Sequence, residues 1–348
     1  MKKTAVVAAV VAATALALSA CSGSDSGSEK KYLACMVSDS GGFEDKSFNQ
    51  SGYEGLEQAV SDLGVQKASA ESKDAADFAP NIDAMVDQGC DLTITVGYLL
   101  AEATGAAADA NPDKNFAIID DNSLSQTNVK SLIFKTSDAA FLAGYVAAGY
   151  STTGTVATFG GMQIPTVTIF MDGFVDGVAK YNEDNGTSVK VLGWDKAAQN
   201  GSFSGDFEDQ AKGKNLSEQF IQQGADVIMP VAGPVGAGTL QAAQEAGDVA
   251  VIWVDADGAL TNPDSSSVIL TSVMKEIGAA VFDTIKASST TGFNSEPYVG
   301  TLANGGVDIA PFHDFDSKVS DDLKAKVDDL RQQIIDGTLK VTSPSDPA

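Results

Sequence analysis

The chain has one arginine, Arg331, and one histidine, His313, among 348 residues. A phosphate site calls for an arginine cluster or a glycine-rich loop ending in lysine and a hydroxyl residue. Neither is present, since Gly233-Pro-Val-Gly236-Ala-Gly238 lacks both the lysine and the hydroxyl. A Ser-His-Asp hydrolase would rest wholly on His313, and no Gly-x-Ser-x-Gly elbow accompanies it. His313, in Pro311-Phe-His-Asp314, reads as a surface or strand-end residue, so no enzymatic activity is expected. The cysteines are few, Cys21, Cys35 and Cys90, and with one distant histidine they give no metal-ligand spacing. No metal or other cofactor is expected. Basic residues are scarce as well, 22 against 47 acidic, for a formal charge of −25. A surface of that sign repels nucleic acid and phosphate-rich partners and favours solubility.

What is present begins with Met1 to Ala20, in which Lys2 and Lys3 precede an Ala/Val/Leu core ending Leu18-Ser-Ala-Cys21. The apolar run is too short to span a bilayer and reads as a signal peptide. Its end resembles the bacterial lipobox, which implies that Cys21 carries lipid, palmitate included, as the new N-terminus. Ser22 to Lys30 then reads as a flexible tether. Loss of Lys2 and Lys3 leaves 20 basic residues against 47 acidic, a formal charge of −27. The expected location is the outer face of the cell membrane, held by the lipid, and no later run is apolar enough for a second membrane segment.

Strand-like runs lie at Tyr32 to Val37, Leu92 to Val96, Phe116 to Ile119, Val156 to Phe159, Val189 to Leu192, Val227 to Val231 and Val249 to Val254. Helical stretches between them include Ala139 to Tyr150 and Asn215 to Gln223. This alternation predicts α/β architecture with parallel sheets, and well over 300 mature residues predict two lobes. Cys35 lies in the first strand and Cys90 opens another, so an exported chain can join them in a disulfide; two free core thiols are the alternative.

Between the first strand and a helix marked by Tyr53, Leu56, Val60 and Leu63 sits Gly41-Gly-Phe-Glu-Asp-Lys-Ser-Phe-Asn-Gln50. Ser47 and Gln50 have capping-box spacing, which puts Phe48 and Asn49 at a strand-to-helix corner where open α/β sheets bind ligands. The turn resembles the Asp-Lys-Ser-Phe-Asn-Gln signature of the basic membrane protein family, purine-nucleoside-binding lipoproteins that serve ABC importers. Further segments resemble the family in order: Asn115-Phe-Ala-Ile-Ile-Asp120, Phe141-Leu-Ala-Gly-Tyr-Val-Ala-Ala148, Gly205-Asp-Phe207 through Gly213-Lys, Val254-Asp255-Ala-Asp257, and Leu270-Thr-Ser-Val-Met-Lys275. One departure is Gly258, where the family commonly has Gln nearby.

The resemblance implies a type I periplasmic-binding-protein fold, two doubly wound lobes joined by a three-segment hinge. Residues 31–135 and 272–297 are expected in lobe 1, and 136–271 and 298–348 in lobe 2. It implies a monomeric binding protein that delivers a nucleoside of the guanosine, inosine or adenosine class to a permease. Two aromatic rings from opposing lobes can sandwich a purine. Phe48 is the first and Phe207 the second, with Phe203 as a substitute. Asn49 suits a base edge that needs both donor and acceptor, and Asp120, or its neighbour Asp121, can accept from the base. Asp255 can accept the hydroxyls of a ribose diol, with Lys275 donating to the same oxygens. Asp45 and Gly233 complete the implied ligand set. A nucleoside hydrolase, or a binding protein or sensor for another ring-bearing metabolite or a sugar, stays open as an alternative.

Overall fold

The computed structural model describes residues 31–347. The expected signal peptide, Cys21 and the tether lie outside the described residues. In chain order the strands are β1 (Leu33–Ser38), β2 (Gln66–Ala70), β3 (Leu92–Val96), β4 (Asn115–Ile119), β5 (Val129–Phe134), β6 (Thr155–Gly160) and β7 (Lys190–Leu192). They continue with β8 (Trp194–Asp195), β9 (Asn200–Gly201), β10 (Val227–Val231), β11 (Ala250–Asp255), β12 (Ile269–Lys275), β13 (Tyr298–Gly300) and β14 (Val307–Ile309). One six-stranded sheet has the order β13-β5-β4-β3-β1-β2 and is parallel throughout. The other has the order β14-β12-β11-β10-β6-β7 and is parallel except for β14. β8 and β9 form a separate hairpin.

The central strands are buried nearly from end to end, because helices cover both faces of a parallel sheet. That is why they read as unbroken apolar runs. β2, Gln-Lys-Ala-Ser-Ala, is a half-exposed edge strand with no such run, and the sequence does not announce it. Each lobe is braced by a tight helix pair. In one, the helix Phe48–Leu63 packs on Ile277–Thr290, and a Cβ on Gly55 would stand 2.2 Å from the Gly278 carbonyl oxygen. In the other, Thr136–Tyr150 packs on Pro165–Asn185, and a Cβ on Gly144 would stand 2.1 Å from the Phe174 oxygen. Backbones this close leave no room for any side chain but hydrogen. Cys35 and Cys90 are joined in a disulfide within the outer core of the first lobe.

Two of the expected lobe boundaries need correction. β12 runs to Lys275 inside the second sheet, so residues 272–275 belong to lobe 2. β13, expected in lobe 2, pairs with β5 in the first sheet. The chain therefore crosses between lobes at Lys135, at Glu276 and over residues 301–306. These crossings are stitched together: Lys135 N–H donates to the Gly300 oxygen at 2.7 Å and Glu276 N–H to the Gly306 oxygen at 2.9 Å.

Candidate functional site

Both sheets aim the carboxyl ends of their strands at one cleft. From lobe 1 come Asp39 after β1, Gly97 and Tyr98 after β3, and Asp120 after β4. From lobe 2 come Gly233 and Pro234 after β10, Asp255 at the end of β11 and Lys275 at the end of β12. Helix starts add Phe48 and Asn49 from one lobe and Thr166, Val167 and Phe170 from the other.

The turn before Phe48 is organised by Asp45 instead of the expected Ser47–Gln50 box. The Asp45 carboxylate accepts the backbone N–H groups of Ser47, Asn49 and Gln50 at 2.9, 2.8 and 3.0 Å, satisfying donors that a helix start leaves free. Ser47 makes no cap bond. Its hydroxyl instead crosses the cleft to the Val254 oxygen at 3.2 Å and Asp255 Oδ2 at 3.0 Å.

Asn49 departs from its expected dual role. Its Nδ2 donates to Asp39 Oδ1 at 3.0 Å, Asp45 Oδ2 at 3.2 Å and the Ser40 oxygen at 3.3 Å. Both of its protons are therefore engaged within the protein. Its Oδ1 is buried with no hydrogen-bond partner, leaving an acceptor only.

Asp120 departs too. It lies 2.5 Å from Lys275 Nζ in an ion pair that joins the lobes, and the same ammonium stands 3.2 Å from Asp255 Oδ1. Asp255 Oδ1 is buried and has no hydrogen-bond partner; charge alone holds it. Both aspartates sit at strand ends in left-handed backbone, φ 65° and 70°, a conformation costly for a non-glycine residue and concentrated at functional sites. Lys275 also faces aromatic rings, 4.6 Å from the Phe48 centroid and 5.3 Å from that of Phe170.

Burial would lower the Lys275 ammonium, but Asp120 and Asp255 outweigh it and hold its pKa above the ordinary value. Burial raises Asp120 in turn, against the pull of Lys275. Burial pushes Asp39 up to about 8, the Asn49 amide opposes this, and Asp45 and Asp120 add repulsion. Asp39 is thus a neutral acid at pH 7. Gly97 makes room for it, since a Cβ there would stand 2.1 Å from Asp39 Oδ2.

Phe207 lines the cleft from lobe 2, its ring lying over Gly161, where a Cβ would meet it at 2.3 Å. Asp206 fixes that loop by accepting the N–H groups of Glu208 and Asp209. Phe203 does not line the cleft and packs edge-on against Trp194, with centroids 5.9 Å apart. Asp121 accepts from the Ser123 N–H and hydroxyl, away from Lys275. Gly258 does not line the cleft, and a Cβ there would run into Trp253 at 2.5 Å. His313 pairs with Asp257 at 2.7 Å and does not line the cleft. Sequence reasoning missed Asp39, Tyr98, Thr166 and Phe170. For Asp39 a signal existed: it directly follows a buried strand, as Asp120 does.

The family model for PnrA-like ABC transporter substrate-binding proteins matches residues 33–344. The chain is 33% identical to the ABC transporter nucleoside-binding protein BmpA of Lactococcus lactis, over 99% of each chain. It is 29% identical to basic membrane protein A of Borreliella burgdorferi, over 93% of this chain and 91% of that one. Among solved structures, an ABC transporter solute-binding protein from Aeropyrum pernix superposes with a TM-score of 0.82 at 27% identity, covering 90% of this chain and 94% of the other. The architecture is the type I periplasmic-binding-protein fold. The family match spans nearly all the described residues, and the chain belongs to the PnrA-like ABC transporter substrate-binding proteins.

Proposed function

We propose that the cleft captures a purine ribonucleoside and that the protein, held to the outer face of the membrane by lipid on Cys21, hands it as a monomer to an ABC permease. The observation that carries this reading is a buried acceptor without a partner, Asn49 Oδ1, and a buried Asp255 Oδ1 held only by the Lys275 ammonium, in a cleft lined from opposite lobes by Phe48 and Phe207. A buried acceptor left unpaired costs about 1–3 kcal/mol, so Asn49 Oδ1 calls for a donor from a ligand, and the Asp255 carboxylate has room for one beside the ammonium. A base N–H meets the first and a ribose hydroxyl the second, while the rings cover the two faces of the base. Asp39, as a neutral acid, can donate to a base nitrogen or oxygen beside Asn49. Lys275, already shared by two carboxylates, orients Asp255 and has a proton left for a hydroxyl oxygen.

The nucleoside-binding function named for the Lactococcus lactis relative supports this ligand class. The same cleft disfavours nucleotides, because Asp39, Asp45, Asp120 and Asp255 line it with a single paired ammonium, and among the described residues that line it no cation is free for a phosphate. Native mass spectrometry of the protein mixed with guanosine tests the reading. A mass gain of one nucleoside, with intact guanosine recovered after denaturation, is expected. No gain, or recovery of free guanine, would overturn it.

A further inference from the structure

We infer that Ser47 is a positioning residue that couples lobe closure to ligand retention, by bonding across the cleft to the carboxylate that reads the ligand. Ser47 is fully buried at the start of the helix Phe48–Leu63 in lobe 1, yet its hydroxyl makes no bond within its own helix start. Its proton is shared by two acceptors at the end of β11 in lobe 2, the Val254 oxygen and Asp255 Oδ2. The two oxygens of Asp255 are thus divided. Oδ2 is held by the opposite lobe, and Oδ1 is left without a hydrogen-bond partner. When the lobes separate, the Ser47 bond is lost and Asp255 keeps only Lys275 of its own lobe, so the carboxylate is fixed at both oxygens only in the closed form. The helix start does not need this hydroxyl, because Asp45 already caps it. That frees Ser47 for the second task.

The inference rests on the nucleoside reading of the cleft for its ligand, but not for the bond itself. A bond formed after the ligand has entered the open cleft slows escape and leaves entry alone. Stopped-flow binding of guanosine and 2′-deoxyguanosine to wild type and Ser47→Ala therefore gives the test. In the variant the dissociation rate should rise roughly tenfold, the value of a hydrogen bond to a charged group, while the association rate stays within about twofold. The factor should be larger for guanosine than for 2′-deoxyguanosine, since only guanosine offers the 2′-hydroxyl to the carboxylate that Ser47 holds in place. An unchanged dissociation rate, a fall in association rate alone, or an equal factor for the two ligands would overturn the assignment.

If wild type binds no nucleoside, the ligand reading fails and not this one. Small-angle scattering of the unliganded proteins then decides. A larger radius of gyration for Ser47→Ala than for wild type upholds the bond as a closure contact, and equal radii remove it.

Discussion

Phe48 and Phe207 face one cleft from opposite lobes, and Phe203, four residues before Phe207, is committed to Trp194. Replacing Phe48 or Phe207 by Ala should weaken guanosine binding roughly ten- to a hundredfold, as expected for loss of one stacked face. Phe203→Ala should lower the melting temperature and leave affinity nearly unchanged. The opposite pattern, measured by calorimetry and thermal unfolding, would assign the second ring to Phe203. Asp39 gives a pH test. Its folded pKa of about 8 lies above the value near 4 that it has when unfolded, so the folded state holds a proton the unfolded chain releases. Its stabilising contribution is therefore complete below about pH 4 and is lost as pH rises toward about 8. Melting curves across that window should fall more steeply for wild type than for Asp39→Asn. Parallel slopes would contradict a buried neutral Asp39. At this scale the sequence revealed which residues gather at the cleft better than what each one does. Phe48, Asn49, Asp120 and Asp255 were marked by their place after strands. That Asn49 spends its protons on Asp39 and Asp45, and that Asp120 answers to Lys275, depends on atoms 10 and 155 residues apart, and no local pattern carries it.

Among the elements, β1 and β3 are tied by their backbone ladder and by the Cys35–Cys90 bond. The bond lies toward the starts of the two strands, and the cleft residues Asp39 and Gly97 follow their ends. With 55 residues between the cysteines, cross-linking should stabilise lobe 1 by about 4 kcal/mol through the unfolded state. Urea unfolding of a Cys35→Ala/Cys90→Ala variant should show a loss of that order with guanosine affinity kept. Unchanged stability would show that the bond does not constrain the unfolded chain. The buried parallel strands were legible because two covered faces demand a continuous apolar run. The lobe assignment of β12 and β13 was not, because which sheet a strand joins is decided by the hinge crossings at Lys135, Glu276 and 301–306, and these look like ordinary loops in sequence. β13 is three residues long and owes its place to pairing with β5.

At the scale of the whole molecule, two lobes are joined across the cleft by a small set of side chains. Asp120 from one lobe and Asp255 from the other share Lys275, and Ser47 reaches across to Asp255. Ligand binding and closure are then one equilibrium, in which affinity depends on how much of the population can reach the closed form. The acidic composition, with 47 Asp and Glu against 22 Lys and Arg, predicts with the paired ammonium that phosphorylated forms bind poorly. The central claim is that the cleft is built for a ribonucleoside. Calorimetry of the wild-type protein with guanosine, 2′-deoxyguanosine and guanosine monophosphate tests it most directly. Guanosine should bind, the deoxy form should bind roughly ten- to a hundredfold more weakly because Asp255 loses a hydroxyl donor, and the monophosphate should give no measurable heat. No heat with guanosine, equal affinity for the deoxy form, or tightest binding of the monophosphate would contradict the account.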